Sequence, residues 1–338
     1  MRLSLVPRIP GTAGPANFQR RLADGLRQRG VEVSLGLGKQ PVDAVLVVGG
    51  TRALGGLLRT RRRGTPIVQR LDGMNWIHRR RRTGLRHFLR AEANNLLLRI
   101  IRDRLADAVV YQSQFAQGWW ERVFGPAPGR AHVVLNGVPL DQYTSVGPGR
   151  PPDDRWRLLV VEGNLAGGYE IGLEWAIALT RGLHGLAGRP AELVIAGNAP
   201  DRVRQRWADQ ANPRIDWLGP VSPDQIPALD RSAHLLFAAD VLPACPNAVI
   251  EALACGLPVV SFETGSLSEL VTGDSGRLAP YGGDPWLLEP PDLGGLVPAA
   301  AEILADQPRF RRGARARAEA GLGVAAMVDG YWAALFPG

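Results

Sequence analysis

Short apolar runs alternate with stretches of helical periodicity along nearly the whole chain. This alternation is typical of parallel α/β layers and not of a β-sandwich or a helical bundle. In the first half the pattern predicts strands at Leu3–Val6, Val31–Leu35, Ala44–Val48, Pro66–Gln69, Ala108–Tyr111 and His132–Leu135. In the second half it predicts strands at Arg157–Val161, Glu192–Ala196, Ile215–Leu218, His234–Ala238 and Pro258–Ser261. We therefore expect an α/β protein built from two Rossmann-like domains that face one cleft.

Amphipathic segments between these runs predict the helices. They lie at Ala16–Arg29, Leu85–Leu105, Ser113–Phe124, Gly172–Leu183, Asp201–Gln210, Gln225–Asp230, Ala248–Ala254, Leu293–Ala305, Pro308–Glu319 and Val324–Leu335. A stretch rich in Gly, Pro and Asp at 144–154 indicates a linker. We therefore place a first domain at 1–146, a second at 147–322 and a terminal helical segment at 323–338.

The composition is that of a soluble globular protein, with 45% hydrophobic and 21% charged residues among 338. That length suffices for two cores of ordinary size. No apolar run reaches the roughly 18 residues of a membrane span, and the apolar start is too short for a signal sequence. We expect a cytoplasmic protein. The two cysteines and five histidines have no metal-ligand spacing, so we expect no metal site.

Positive charge is concentrated in one part of the first half. Residues 56–104 hold fourteen arginines against three carboxylates, a sum of +11, so the remainder of the +8 chain sums to −3. The Arg-rich region 59–90, with leucines interspersed, suits an anionic membrane surface and a lipid-linked acceptor. The alternative is a packed core helix with solvated arginines around it. We expect no nucleic-acid partner, because the doubly wound pattern carries no interleaved aromatic residues.

The segment 239–260 carries the most specific chemistry. It runs from the end of a strand through a Pro-rich loop into a short helix that opens near Asn247 and ends at Gly256. A helix N-terminus offers unpaired N–H groups and positive dipole charge that suit a phosphate, and Glu251 one turn later can hold sugar hydroxyls. The pattern therefore predicts a nucleotide-sugar site.

This segment closely resembles the donor-site segment of the retaining family-four glycosyltransferases (glycosyl transferases group 1), two-domain enzymes of the GT-B fold. In that family two glutamates eight positions apart flank the loop; Glu251 matches the second, and Pro243 stands at the first. The resemblance implies transfer of a sugar from a nucleoside diphosphate to a glycan or lipid-linked acceptor, with retention. It implies neither a metal ion nor a resident cofactor, because helix dipoles and N–H groups take the metal's role. It also implies that the terminal helix crosses back to the first domain.

By the same resemblance, Glu251 holds the ribose or the donor sugar as a catalytic residue. The backbone amides of Asn247, Ala248 and Val249 bind the diphosphate. In the first domain, Gly11 and Gly14 belong to a Gly-rich loop that approaches the donor phosphate. The motif is not GxGxxG, which argues against a dinucleotide site.

Asp72 ends an apolar strand and is the second catalytic candidate, because ligands bind at the carboxyl edge of parallel sheets. It would orient or deprotonate an acceptor hydroxyl; the alternative is a carboxylate that caps the next segment or pairs with Arg70. Ser113 as a helix N-cap and Asn136 with Gly137 as a turn have local structural explanations.

By the same resemblance, loops of the second domain complete the expected donor site: Gly163, Asn164, Gly197, Asn198 and Val221, the last near the base. Ordinary turns between strand and helix are the alternative for the loop of Gly197 and Asn198 and for the segment of Val221. Where the family places an Arg and a Lys, this chain has Asn164 and Ile171. The candidate substitutes are Arg202, Arg204 and Arg231.

Those departures keep a second function open. A catalytically degenerate GT-B subunit that binds nucleotide or glycan without turnover would explain Pro243, Asn164 and Ile171. A GT-B-like sugar-nucleotide epimerase is a weaker alternative, since its usual pattern of histidine and carboxylate is not evident.

Overall fold

The computed structural model describes residues 1–11, 14–38, 40–166, 168, 170–208 and 213–337. The chain forms two compact units. Unit 1 comprises Met1–Gly137 together with Gly323–Gly338, and unit 2 comprises Val138–Leu322. The first crossing between units thus falls ahead of the Gly- and Pro-rich stretch at which the sequence placed the boundary.

Unit 1 contains a parallel sheet with the strand order β2-β1-β3-β4-β5-β6. Its strands are β1 (Arg2–Val6), β2 (Glu32–Leu35), β3 (Ala44–Val48), β4 (Ile67–Leu71), β5 (Ala108–Tyr111) and β6 (Arg130–Val133). Every residue of β3 and β4 is buried, as expected for strands covered on both faces.

Unit 2 contains a second parallel sheet, with the order β12-β11-β10-β7-β8-β9. Its strands are β7 (Trp156–Asn164), β8 (Ala191–Asn198), β9 (Arg214–Gly219), β10 (Leu235–Phe237), β11 (Val259–Phe262) and β12 (Gly276–Ala279). From β7 the order proceeds through β8 to β9 on one side and begins again with β10 on the other. The topological switch point, where ligands bind in such sheets, therefore lies between β7 and β10.

The helices connect and cover these strands. They are α1 (Gly14–Gln28), α2 (Leu54–Arg62), α3 (Leu85–Ile100), α4 (Gln114–Phe124), α5 (Ile171–Leu183), α6 (Asp201–Gln205), α7 (Ile226–Arg231), α8 (Asn247–Ala254), α9 (Leu267–Leu270), α10 (Leu296–Ala305), α11 (Gln307–Glu319) and α12 (Val324–Leu335). A π-helical turn, Ile101–Leu105, continues α3. None of the helices in the described ranges is both long and apolar enough to cross a membrane.

Helix α12 returns to the core of unit 1, although unit 2 precedes it in the chain. The rings of Phe18 on α1 and Tyr331 on α12 lie 5.2 Å apart, and both side chains are buried. A Cβ on Gly25 would come within 2.5 Å of Val328, so only glycine permits this approach of α1 to α12. Each large apolar side chain buried here contributes about 1.5–3 kcal/mol, which anchors the terminal segment.

The predicted α/β class with a returning terminal helix is confirmed. Strand β12 and helix α2 were not predicted, because neither carries a clear apolar run. β12 is stabilised by its parallel pairing with Val259–Phe262 of β11. Such pairing depends on the tertiary structure and not on the local sequence. A helix was predicted at Asp201–Gln210, but α6 ends at Gln205. Residues 209 and 210 of the predicted helix lie outside the described ranges.

Candidate functional site

Two carboxylates stand at the switch point of unit 2. Glu162 lies near the end of β7, and Asp240 follows β10, the neighbouring parallel strand. Burial raises the pKa of Glu162 to about 8, with a further contribution from the negative charge of Asp240. Burial also raises the pKa of Asp240, against the opposing effect of backbone N–H groups of the same loop. These two side chains are therefore close enough to interact, and Glu162 is largely protonated at neutral pH.

The sequence pattern predicted no role for Glu162 or Asp240. Both residues were visible, since each follows a predicted strand, and parallel strands end at one edge of a sheet. The missing information was the strand order, because nothing in the sequence placed β10 beside β7.

The predicted residues of the β7 and β8 loops do come together. The side-chain amide of Asn198 donates to Oδ1 of Asn164 over 3.4 Å. A Cβ on Gly197 would approach the carbonyl oxygen of Glu162 to 2.0 Å, so a glycine is required there. Gly163 is exposed between Glu162 and Asn164. Val221 follows β9 and is partly exposed at the same edge of the sheet.

Helix α8 begins at Asn247, as the sequence indicated. Its N-cap is Pro246, whose side chain makes no capping hydrogen bond. Asn247 and Ala248 are partly exposed, while Val249 is buried. The first turn therefore combines accessible residues with a buried anchor, and an anion bound there would face the positive end of the helix dipole.

Glu251 is 6% exposed and lies near Asp230 of α7, which is fully buried. Burial, then the charge of Glu251, holds the pKa of Asp230 well above its usual value. Cys255, one turn after Glu251, contributes to the same cluster: burial, then the charge of Asp230, raises the pKa of its thiol. Asp230, Glu251 and Cys255 therefore lie close enough to interact, and burial favours the protonated form of Asp230.

Pro243 is buried where the resembled family has its first glutamate. Its carbonyl oxygen accepts a hydrogen bond of 2.8 Å from the backbone of Ser266. Gly265 adopts a φ of +58°, and a Cβ there would come within 2.4 Å of the Pro243 carbonyl oxygen. The loop after β11 therefore covers this position.

The candidate substitutes for the missing cations differ in their availability. Arg231 donates to the carbonyl oxygens of Thr144 and Pro148, at 2.7 and 2.8 Å, and is buried. Arg204 pairs with Asp201. Arg202 has no hydrogen-bond or ion-pair partner among the described residues, so it alone of the three is uncommitted there.

In unit 1, Gly11 has a φ of +90°, which favours glycine, and Gly14 is the first residue of α1. Asp72 follows β4, and burial raises its pKa despite the opposing charge of Arg70. Arg70 acts on Asp72 through its charge, but the two side chains form no ion pair within the described ranges. Arg70 instead donates to Oδ1 of Asn136 over 3.2 Å and stacks on the ring of Phe18.

Two residues with predicted structural roles have further partners. Ser113 caps α4 by accepting from the amide of Ala116, as predicted. Asn136 does more than form a turn, because its side-chain amide also donates to Gln112 over 3.0 Å. This buried polar network joins the ends of β4 and β5 to the segment after β6.

Helix α3 presents an apolar stripe to solvent. Leu85, Leu89 and Leu96 are 75%, 59% and 55% exposed, and their spacing places them on one side of the helix. The opposite side buries Ala91, Asn95 and Leu98. The alternative of a packed core helix is therefore wrong for this side of α3.

Comparisons with known proteins agree with this fold. Residues 157–306 match the family model described as Glycosyl transferases group 1. A 101-residue segment is 42% identical to a GDP-mannose-dependent alpha-(1-6)-phosphatidylinositol dimannoside mannosyltransferase of Mycobacterium tuberculosis. That match covers 28% of this chain and only 24% of the relative's length.

Solved structures match over nearly the whole chain. Sucrose-phosphate synthase from Thermosynechococcus elongatus superposes with a TM-score of 0.73 and 15% identity, covering 99% of both chains. HepE from Anabaena, solved with UDP-glucose, gives 0.70 and 17% identity over 97% of both. At such identities the likeness concerns the fold. Residues 157–306 thus match the group 1 glycosyl transferases, as the sequence predicted, and the chain has the GT-B fold of these solved structures.

Proposed function

We propose that this protein transfers a sugar from a nucleoside diphosphate donor to an acceptor. The observation that carries the proposal is the start of α8: accessible residues in the first turn, with Glu251 one turn later, in the segment that matches the family model. In the proposed complex the amides of Asn247, Ala248 and Val249 bind the diphosphate, and Glu251 holds the ribose or donor sugar. Gly163, Asn164, Gly197, Asn198 and Val221 line the same edge of unit 2.

We further propose that configuration is retained and that no metal ion takes part. Both statements rest on the resemblance of the segment 239–260 to retaining enzymes. The reaction breaks the bond between the anomeric carbon and the phosphate oxygen and forms one to the acceptor oxygen. The leaving diphosphate gains negative charge in the transition state, and the helix dipole stabilises that charge.

The electrostatics of the switch point bear on this step. Ionised carboxylates there would repel a diphosphate, but Glu162 is largely neutral at pH 7 and can donate a hydrogen bond. Arg202 is the cation proposed to replace the family's Arg and Lys. In unit 1, Gly11 and Gly14 are proposed for the donor phosphate, and Asp72 for the acceptor hydroxyl.

We propose a lipid-linked glycan acceptor at an anionic membrane surface, with the protein on the cytoplasmic side. The mycobacterial relative acts on a phosphatidylinositol dimannoside by its name. The stripe of Leu85, Leu89 and Leu96 is accompanied by Arg86 and Arg90, which have no ion-pair partner among the described residues. An apolar stripe beside arginines is the pattern of an interfacial helix.

A nucleotide-sugar panel tests the donor site. Thermal-shift titrations should identify a stabilising donor, because ligand at about 100 times its dissociation constant adds about 2.7 kcal/mol. Glu251→Gln should weaken binding of that donor and reduce transfer. Glu192→Gln is the matched control, since Glu192 is also a buried glutamate of unit 2 but lies at the opposite end of β8, paired with Arg157. Equal affinity and turnover in the two variants would overturn the assignment.

A degenerate subunit that binds nucleotide or glycan without turnover is the second candidate. It is favoured by the commitment of Arg231 to linker carbonyls and by the burial of Pro243. Donor binding without transfer or donor hydrolysis across a panel of acceptors would select it. Measurable transfer that is lost in Arg202→Gln would exclude it.

A further inference from the structure

Unit 1 contains a cavity of about 610 Å³ that the donor site does not use. Its lining includes Arg52, Asn75, His87, Arg90 and Asn94, with Leu89 at its apolar side. Arg52 lies in the loop after β3 and Asn75 in the loop after β4, while the other residues belong to α3. The cavity thus stands at the carboxyl ends of two neighbouring parallel strands, where α/β folds bind ligands.

The charge of this cavity is one-sided. Its lining residues within the described ranges include two arginines and a histidine but no carboxylate. Neither Arg52 nor Arg90 has a hydrogen-bond or ion-pair partner within the described ranges. The nearby Glu92 is already engaged, since it accepts from Arg79 and lies 2.8 Å from Nε2 of His78. The two arginines of the cavity therefore carry positive charge that no group in the described part of the chain pairs with.

Its polar groups suit a phosphate ester. Arginine binds phosphate through two parallel N–H donors, and side-chain amides add further donors. Nδ1 of His87 lies 2.9 Å from Oγ1 of Thr83, which leaves its other ring nitrogen for a ligand. Asn75 is held in place, because its side-chain amide and its backbone N–H both donate to Asn95.

Leu89 connects the cavity to the apolar stripe of α3. It lines the cavity and is also 59% exposed within the stripe formed with Leu85 and Leu96. A ligand with its phosphate between Arg52 and Arg90 can therefore extend an apolar part along α3. We propose that this cavity binds the phosphate of a lipid head group. The identification of that lipid as the acceptor rests on the proposed function; the binding site does not.

Paired substitutions in the full chain test the site. Arg52→Gln with Arg90→Gln removes both cations, and Arg122→Gln with Arg130→Gln is the control, since these exposed arginines of unit 1 lie outside the lining. Binding is measured by calorimetry with glycerol 3-phosphate and by sedimentation with phosphatidylglycerol and phosphatidylcholine vesicles. We expect the first pair to weaken both glycerol 3-phosphate and phosphatidylglycerol binding by about tenfold or more, with the control pair near wild type.

Further arms separate the sources of the phosphate. Leu85→Ser with Leu96→Ser should weaken vesicle binding and leave glycerol 3-phosphate binding intact if the natural ligand is a lipid. Loss of glycerol 3-phosphate binding in the arginine pair without any change on vesicles would overturn the lipid assignment. Equal behaviour of the two arginine pairs with both probes would overturn the site. Nucleotide binding by unit 2 is measured in the same variants, and we expect it to stay unchanged in all of them. If no nucleotide binds to the wild-type protein, the proposed donor site is wrong, and the result for the cavity is unaffected.

Discussion

The carbonyl oxygen of Pro243 accepts a hydrogen bond of 2.8 Å from the amide of Ser266, and this contact occupies the place of the family's first glutamate. The loop after β11 is packed on Pro243, with Gly265 in a left-handed conformation. The backbone at position 243 is therefore tied to the loop after β11.

Restoring the glutamate should harm the fold. Pro243→Glu places a carboxylate in a covered position, and burial of a charge without a partner costs on the order of 2–4 kcal/mol. Chemical denaturation should show that loss, while Pro243→Ala should lose less. An increase in transfer activity by Pro243→Glu at unchanged stability would show that the loop can accept the family's residue.

Glu162 should make stability fall as pH rises. Its pKa is about 8 in the folded state against 4.5 ordinarily, so the folded chain retains a proton between pH 4.5 and 8 that the unfolded chain has released. The free energy of unfolding therefore decreases across that window, by at most about 1.4 kcal/mol per pH unit from this group. Glu162→Gln should remove this contribution, measured as the difference from wild type in denaturant titrations at pH 5 and pH 8. If the free energy of unfolding changes equally with pH in wild type and Glu162→Gln, the raised pKa of Glu162 is refuted.

Two glycines should respond oppositely to alanine. Gly25→Ala brings a Cβ within 2.5 Å of Val328 and should destabilise unit 1 by about 1–3 kcal/mol. Gly55→Ala on α2 meets nothing within 4 Å and should stabilise by about 0.5–1 kcal/mol, because alanine loses less backbone entropy in a helix. Thermal unfolding measures both. A stable Gly25→Ala would mean that α12 can shift without cost.

The stripe on α3 should govern membrane binding. Leu85→Ser with Leu96→Ser should reduce sedimentation with anionic vesicles at low salt, and high salt should reduce it in wild type, since each nearby arginine contributes about 1 kcal/mol. Val123→Ser is the control, because Val123 is 46% exposed but lies on α4. If the wild-type protein stays in the supernatant under every condition, the stripe on α3 does not bind membranes and is simply exposed to solvent.

Periodicity alone determined the class of this protein. Most strands of both sheets and the helices α8 and α12 follow from local patterns, because apolar runs and caps are encoded by neighbouring residues. The return of α12 to unit 1 was implied by the family resemblance alone. The family resemblance likewise depended on contiguous letters from Ala239 to Val260.

Only the tertiary structure decided which of those residues meet. Glu162 and Asp240 form a pair because β10 lies beside β7, although the two strands are far apart in sequence. Arg231 is not available to bind a diphosphate, because it donates hydrogen bonds to carbonyl oxygens of the linker. The cavity of Arg52 and Arg90 requires α3 to pack beside loops from two strands. Strand order and burial arise from long-range packing, which no local pattern specifies, and they set both the pKa values and the availability of charge.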